Sequence, residues 1–171
     1  MKGYVQVYTG DGKGKTTAAL GLALRAAGCG LKVFIAQFCK KRICGEHIAL
    51  KRFNNLITIK RYGSEKFIKG KPLLKDIRNA QKGLLESSSA MFSGKYDMVI
   101  LDEVNDAAAL GLIDVESITD IIEFKPDEVE IVITGRNAHR KIAQRADIVT
   151  EMREIKHYYK NGVKARTGIE Y

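Results

Sequence analysis

The sequence predicts a doubly wound α/β fold built on a mostly parallel sheet. Three observations carry that expectation. Short apolar runs alternate with helical patterns along the whole chain. Several runs are apolar on both faces, as the strands of a sheet covered on each side must be. No repeat, low-complexity stretch or linker divides the 171 residues, so 1–171 reads as one domain.

Tyr4 to Tyr8 reads as the first strand, followed by a glycine-rich turn and a helix from about Thr16 to Ala27. That helix is rich in Ala and Leu and stops at Gly28-Cys29-Gly30. Val33 to Phe38 is a buried strand, and Leu56 to Tyr62 alternates like a strand covered on one face. After Gly70-Lys71-Pro72, residues Leu73, Ile77, Ala80 and Leu84 share a helical stripe. Met98 to Leu101 is a second buried strand that ends in Asp102-Glu103. Asp114 is placed to cap a helix through Phe124, which Pro126 prevents from continuing. Val129 to Thr134 is a further strand, Ala138 to Ala146 a helix, and Ile148 to Ile155 a last long strand. Asn161-Gly162 marks a tight turn in the tail.

Composition narrows the class. Apolar residues make up 45% and charged residues 29%, which excludes a disordered or collagen-like chain. No run approaches the length of a membrane span, and the start has no apolar signal core. Three cysteines without a CxxC pair suit reduced thiols, so a cytoplasmic protein is expected. The net charge of +9 is unevenly placed: residues 39–82 hold 13 Lys/Arg against 3 acids, and residues 136–171 hold 9 against 4. Such regions attract polyanions or face solvent. No aromatic platform or DNA-reading motif accompanies the charge, so nucleic acid is not the expected partner.

Ligands of doubly wound sheets sit at the carboxyl ends of the strands. There the decisive segment lies: Thr9-Gly10-Asp11-Gly12-Lys13-Gly14-Lys15-Thr16-Thr17, between a strand and a helix. Glycines let the backbone curl with its N–H groups inward, and the helix start adds a positive dipole end. Lys15 supplies a point charge for phosphate oxygens, and Thr16 a hydroxyl for Mg²⁺. The general GxxxxGK[ST] spacing would put a glycine at position 9, where Thr9 stands, and Gly10 lies one residue nearer Gly14. Asp102-Glu103 at the end of a buried strand matches the acidic partner motif, to hold Mg²⁺ directly or through water. The pair makes the expected fold P-loop NTPase-like, of the RecA-like kind.

Together, TGDGKGKTTAALGLALRAAG, KVFIAQF, VILDE, EIVITGRNA, ADIVTEM and KHYYKNGVKARTGIEY resemble the P-loop ATP:cob(I)alamin adenosyltransferases. The resemblance spans most of the chain outside about residues 40–95. It implies transfer of the 5′-deoxyadenosyl group of ATP to reduced corrinoid cobalt, with release of triphosphate. It also implies ATP bound in reverse, with the loop on the terminal phosphate. By matching motifs, Lys15 and Arg136 are the catalytic candidates; Thr9 to Thr17, Arg25 and Arg136 bind ATP; and Thr16, Asp102 and Glu103 serve Mg²⁺. The nucleophile belongs to the corrinoid, so no catalytic Ser-His or Cys-His pair is required.

The family carries an aromatic pair with a tryptophan near the segment Tyr62 to Ile68. This chain has no Trp, and Tyr62 and Phe67 stand there as corrinoid-facing candidates. The sequence also starts directly on its first strand, where family members carry a helical extension. A homodimer and an electron-donating flavoprotein partner are implied by the resemblance alone. The same loop and acidic residues are also consistent with another ATPase or kinase, or an ATP-dependent binding module. Cys39, Cys44 and His47 offer three ligands for zinc but no fourth, while His139 and His157 read as hydrogen-bonded histidines without a ligand role.

Overall fold

The computed structural model describes residues 2–40, 42–64, 68 and 70–171. The chain runs β1 (Val5–Thr9), α1 (Lys15–Gly28), β2 (Val33–Gln37), α2 (Gly45–Leu50), β3 (Ile57–Arg61), α3 (Leu74–Phe92) and β4 (Met98–Asp102). It continues through α4 (Val104–Ala109), α5 (Val115–Glu123), β5 (Glu130–Thr134), α6 (Arg140–Ala143) and β6 (Ile148–Glu151). Short 3-10 turns follow α2 and occupy Tyr158–Asn161 in the tail.

The six strands form one all-parallel sheet in the order β3-β2-β4-β5-β1-β6. Alternation along each strand splits the interior into two layers. On one face, Ala19, Ala23, Ala26 and Ala27 of α1 meet Val33, Ile35, Ile100 and Val132. On the other, Phe34, Leu101, Ile131 and Ile133 pack under α3, α4, α5 and α6. β2, β4 and β5 are buried over their full length, which is why they read as continuous apolar runs. β6 is an exposed edge. No helix among the described residues is long and apolar enough to cross a membrane.

Several boundaries differ from the sequence expectation. β6 stops at Glu151 because its partner β1 ends at Thr9, and Ile155 beyond it is 96% exposed. α6 has a single turn, with looser turns reaching Ala146. α3 is longer than its stripe predicted, and Leu73 lies outside it as the 59% exposed N-cap residue. Asp114 does occupy the N-cap of α5, but its side chain makes no capping bond. Gly162 holds the expected tight turn, with φ of 81° and its N–H donated to Tyr159 O.

Apolar identity therefore predicts cost only where a side chain is covered. Ile131→Ala, at a fully buried central position, is expected to cost about 2–5 kcal/mol in urea unfolding. Ile155→Ala should stay within about 0.5 kcal/mol of wild type. Equal losses at the two positions would contradict the layer assignment.

Candidate active site

The sheet's carboxyl edge carries an ordered row of polar residues. Gln37 of β2 is the register partner of Asp102 of β4, and Thr134 of β5 is the partner of Tyr8 of β1. Leu101 faces Ile133, so Asp102 and Thr134 follow side by side. Asp102 is buried and accepts hydrogen bonds from three neighbours. Thr16 Oγ1 lies 2.9 Å and Thr134 Oγ1 2.7 Å from Oδ1, and Gln37 Nε2 lies 2.9 Å from Oδ2. A hydroxyl has one proton, so Thr16 spends it on Asp102 and keeps its lone pairs for a cation. That is the chemistry a Mg²⁺ ligand needs.

Glu103 follows in left-handed conformation at φ of 62°, uncommon for a residue with a side chain. Thr134 Oγ1 holds it there by accepting the Glu103 N–H at 2.8 Å. Burial, reinforced by the Asp102 charge, pushes the Glu103 carboxyl up to about 7. Lys40 lines the same cleft. Burial works against its charge, but Glu103, Asp102 and Glu46 more than offset this and hold its pKa above the ordinary lysine value.

The glycine loop is shaped by the strand beside it. Gly10 has φ of 94°, and a Cβ there would lie 2.4 Å from the carbonyl oxygen of Met152. That carbonyl also accepts the Gly12 N–H at 2.7 Å. The Gly12 amide is therefore turned away from the loop's concave side, against the expectation that it faces a phosphate. Gly14 is the left-handed N-cap of α1. Lys15 folds over the loop, donating to Gly10 O at 2.5 Å and Gly12 O at 2.8 Å. Burial lowers its pKa, with the charge of Arg136 adding to the effect.

Asp11, Lys13, Lys15, Thr16, Thr17, Glu103 and Arg136 open onto one cleft of about 1000 Å³. This is the upper end of the range for small-molecule pockets. Arg136 is anchored through its own N–H to Asp106 Oδ2 at 3.0 Å. The tail closes one side: Lys13 Nζ donates to Ile169 O at 3.3 Å, and the Arg42 guanidinium sits 4.3 Å from the Tyr171 ring centre. Arg166, with help from Tyr158, holds the Glu170 carboxyl down at about 2.

Other expected residues lie elsewhere. Thr9 does not line the cleft; its hydroxyl accepts the Ala138 N–H at 3.0 Å. Arg25 is exposed in the last turn of α1 and does not line it either. Tyr62 does line it, but only 8% of the residue is exposed; it packs beside Phe38 and donates its hydroxyl to Glu86 at 2.8 Å. Phe67 lies outside the described residues.

Zinc gains nothing. Cys44, Glu46 and His47 come within 4.8 Å of one another, but both His47 nitrogens are already engaged and Cys39 is directed to Glu103 O at 3.7 Å. His139 and His157 each accept a backbone N–H two residues on. Sequence reading missed Lys40, Asp106 and Gln37, and singled out His47 only for zinc, where it instead bonds Gln37. Gln37 alone left a signal, as a polar residue inside an apolar strand.

The family model described as ATP:corrinoid adenosyltransferase BtuR/CobO/CobP matches residues 1–171. The chain belongs to this family. Corrinoid adenosyltransferase of Escherichia coli (strain K12) is 35% identical, the match covering 99% of this chain and 86% of that protein. The enzyme of Pseudomonas aeruginosa is 32% identical over 99% of this chain and 84% of its own length. Corrinoid adenosyltransferase CobA of Salmonella typhimurium is 34% identical, with 99% and 86% covered. Among solved structures, a KaiC-like protein from Pyrococcus horikoshii overlays with a TM-score of 0.62 at 14% identity, covering 91% of this chain and 74% of that one. That likeness concerns the fold alone.

Glu103 makes the site pH-sensitive. Its folded carboxyl binds a proton up to about 7, against an ordinary value of 4.5, so the folded state holds more protons between those values. The stability it contributes is full below about 4.5 and is lost as pH rises through about 7. Urea unfolding in chelator should therefore show stability falling across this window, and Glu103→Gln should flatten that fall. An unchanged slope in the variant would contradict the burial of this carboxyl.

Proposed function

We propose that this family member binds ATP with Mg²⁺ and transfers the 5′-deoxyadenosyl group to the reduced cobalt of a corrinoid. One observation carries the reading: a single cleft joins a phosphate-type loop, the Thr16–Asp102 pair, Glu103 and Arg136, in a chain of the adenosyltransferase family. The cobalt electron pair forms the bond to C5′, while the C5′–O bond breaks and its pair leaves with triphosphate. Charge gathers on the leaving group, so stabilisation belongs at the phosphate end. Lys15 and Lys13 supply cations there, and Arg136 offers a fork that pairs with two oxygens. Thr16 and Glu103 would hold Mg²⁺, with Asp102 acting through the Thr16 hydroxyl. The bound ion would supply further positive charge to the phosphates.

The corrinoid would lie at the open side of the cleft, beside the Tyr62 edge and the tail. A homodimer and a flavoprotein electron donor accompany this reading through the resemblance. The free cysteines accord with a reducing cytoplasm. Glu103 favours one rival. A carboxyl titrating near neutrality is suited to accept a proton from water attacking the terminal phosphate, which would yield ADP.

Incubation with ATP, Mg²⁺ and chemically reduced cobalamin is expected to give adenosylcobalamin and triphosphate. ADP and phosphate without an adenosylated corrinoid would reject the proposal in favour of hydrolysis. Lys15→Ala is expected to weaken ATP binding by about 2–3 kcal/mol, roughly 30- to 150-fold, in calorimetric titration. Unchanged affinity would remove the loop from the binding site.

A further inference from the structure

We infer that His47 is a positioning residue for the cation pole of the site, acting through Gln37 on Asp102. This rests on the proposed ATP and Mg²⁺ reading of the cleft, and deepens it by assigning a role to the wall that carries α2.

Four side chains form one connected path. His47 Nδ1 accepts the Cys44 N–H at 2.9 Å, so the neutral ring carries its proton on Nε2. Nε2 then donates to Gln37 Oε1 at 2.6 Å. This fixes which end of the Gln37 amide faces which neighbour: the oxygen is held by His47, and the nitrogen donates to Asp102 Oδ2 at 2.9 Å. Asp102 in turn holds Thr16 through Oδ1. His47, Gln37 and Asp102 are all buried, so water does not compete for these bonds.

Gln37 already turns its nitrogen toward Asp102, whose carboxylate can only accept. If its amide flipped, the oxygen would meet the Asp102 carboxylate and the nitrogen would meet the His47 N–H, both repulsive. His47 adds the second of these two penalties and pins the oxygen end of the amide. The carboxylate is thereby held with one oxygen on Gln37 and the other on the two threonines, which sets the direction of the Thr16 lone pairs. Gly45, Glu46 and Leu50, on either side of His47, line the cleft, so the bond path connects that wall to the phosphate loop.

The test uses Mn²⁺ as the probe ion, counted by electron paramagnetic resonance in protein holding ATP without corrinoid. Partners one shell out from a ligand typically change metal affinity by about 10–100-fold, and His47 lies further out, so the lower end applies. His47→Leu is expected to weaken Mn²⁺ binding about tenfold while leaving metal-free ATP binding near wild type. His47→Gln, which restores a donor, should recover most of the loss. Equal Mn²⁺ affinity in wild type and His47→Leu, or no recovery with Gln, overturns the inference and leaves adenosyl transfer standing. Absence of Mn²⁺–ATP binding in wild type overturns both.

A measurement on the intact side chain covers the case in which the leucine variant does not fold. Nitrogen-15 spectra of the wild-type histidines should show His47 as the Nε2–H tautomer, shifting when Mg²⁺ and ATP are added. An Nδ1–H tautomer, or no shift, overturns the inference.

Discussion

The site depends on one buried carboxylate. Asp102 gathers hydrogen bonds from the helix after the glycine-rich loop, from β5 and from β2. Those elements are distant in sequence, and only the parallel sheet brings their carboxyl ends together. Burying such a charge is costly unless it is fully hydrogen-bonded. The neighbouring residues are chosen accordingly: two threonines and a glutamine, all donors. The same bonds make Thr134 a brace for Glu103 and make Thr16 a lone-pair donor, so one constraint organises both cation-binding candidates.

The strand order gives this arrangement its width. β5 lies between the loop strand β1 and the acidic strand β4, so Thr134 occupies the gap and Arg136 follows immediately above it. At the outer edge, β6 brings the Met152 carbonyl against Gly10 and Gly12. The loop is thus braced from the side as well as held by its own lysine. Its concave side is narrower in donors than the sequence implies, because one amide is committed to the strand.

The central strands, α1 and the glycine-rich loop between β1 and α1 were legible in the sequence because each depends on local chemistry. Both-face apolar runs are buried wherever they sit, and Gly-Lys-Thr between strand and helix has few other uses. What escaped was set by partners remote in sequence. α2 and α4 are six residues each, too short for a helical period to declare itself. The end of β6 is fixed by where β1 stops, which no feature of residues 148–155 records. Lys40 and Asp106 look like ordinary surface or loop residues until the sheet edge brings Glu103 and Arg136 beside them, and His47 suggests a metal ligand until Gln37 is seen to engage it. Arg25 shows the converse: a motif position matched well along the chain, yet the helix carries it outside the cleft.

The most direct test of the Asp102 hub is a crystal structure with Mg²⁺ and a slowly reacting ATP analogue. The expected result is the ion on Thr16 Oγ1 and near Glu103, with Asp102 still hydrogen-bonded to Thr16, Thr134 and Gln37 and outside direct coordination. An ion bound directly by Asp102, with the Thr16 hydroxyl turned away and the bond to Gln37 broken, would contradict it.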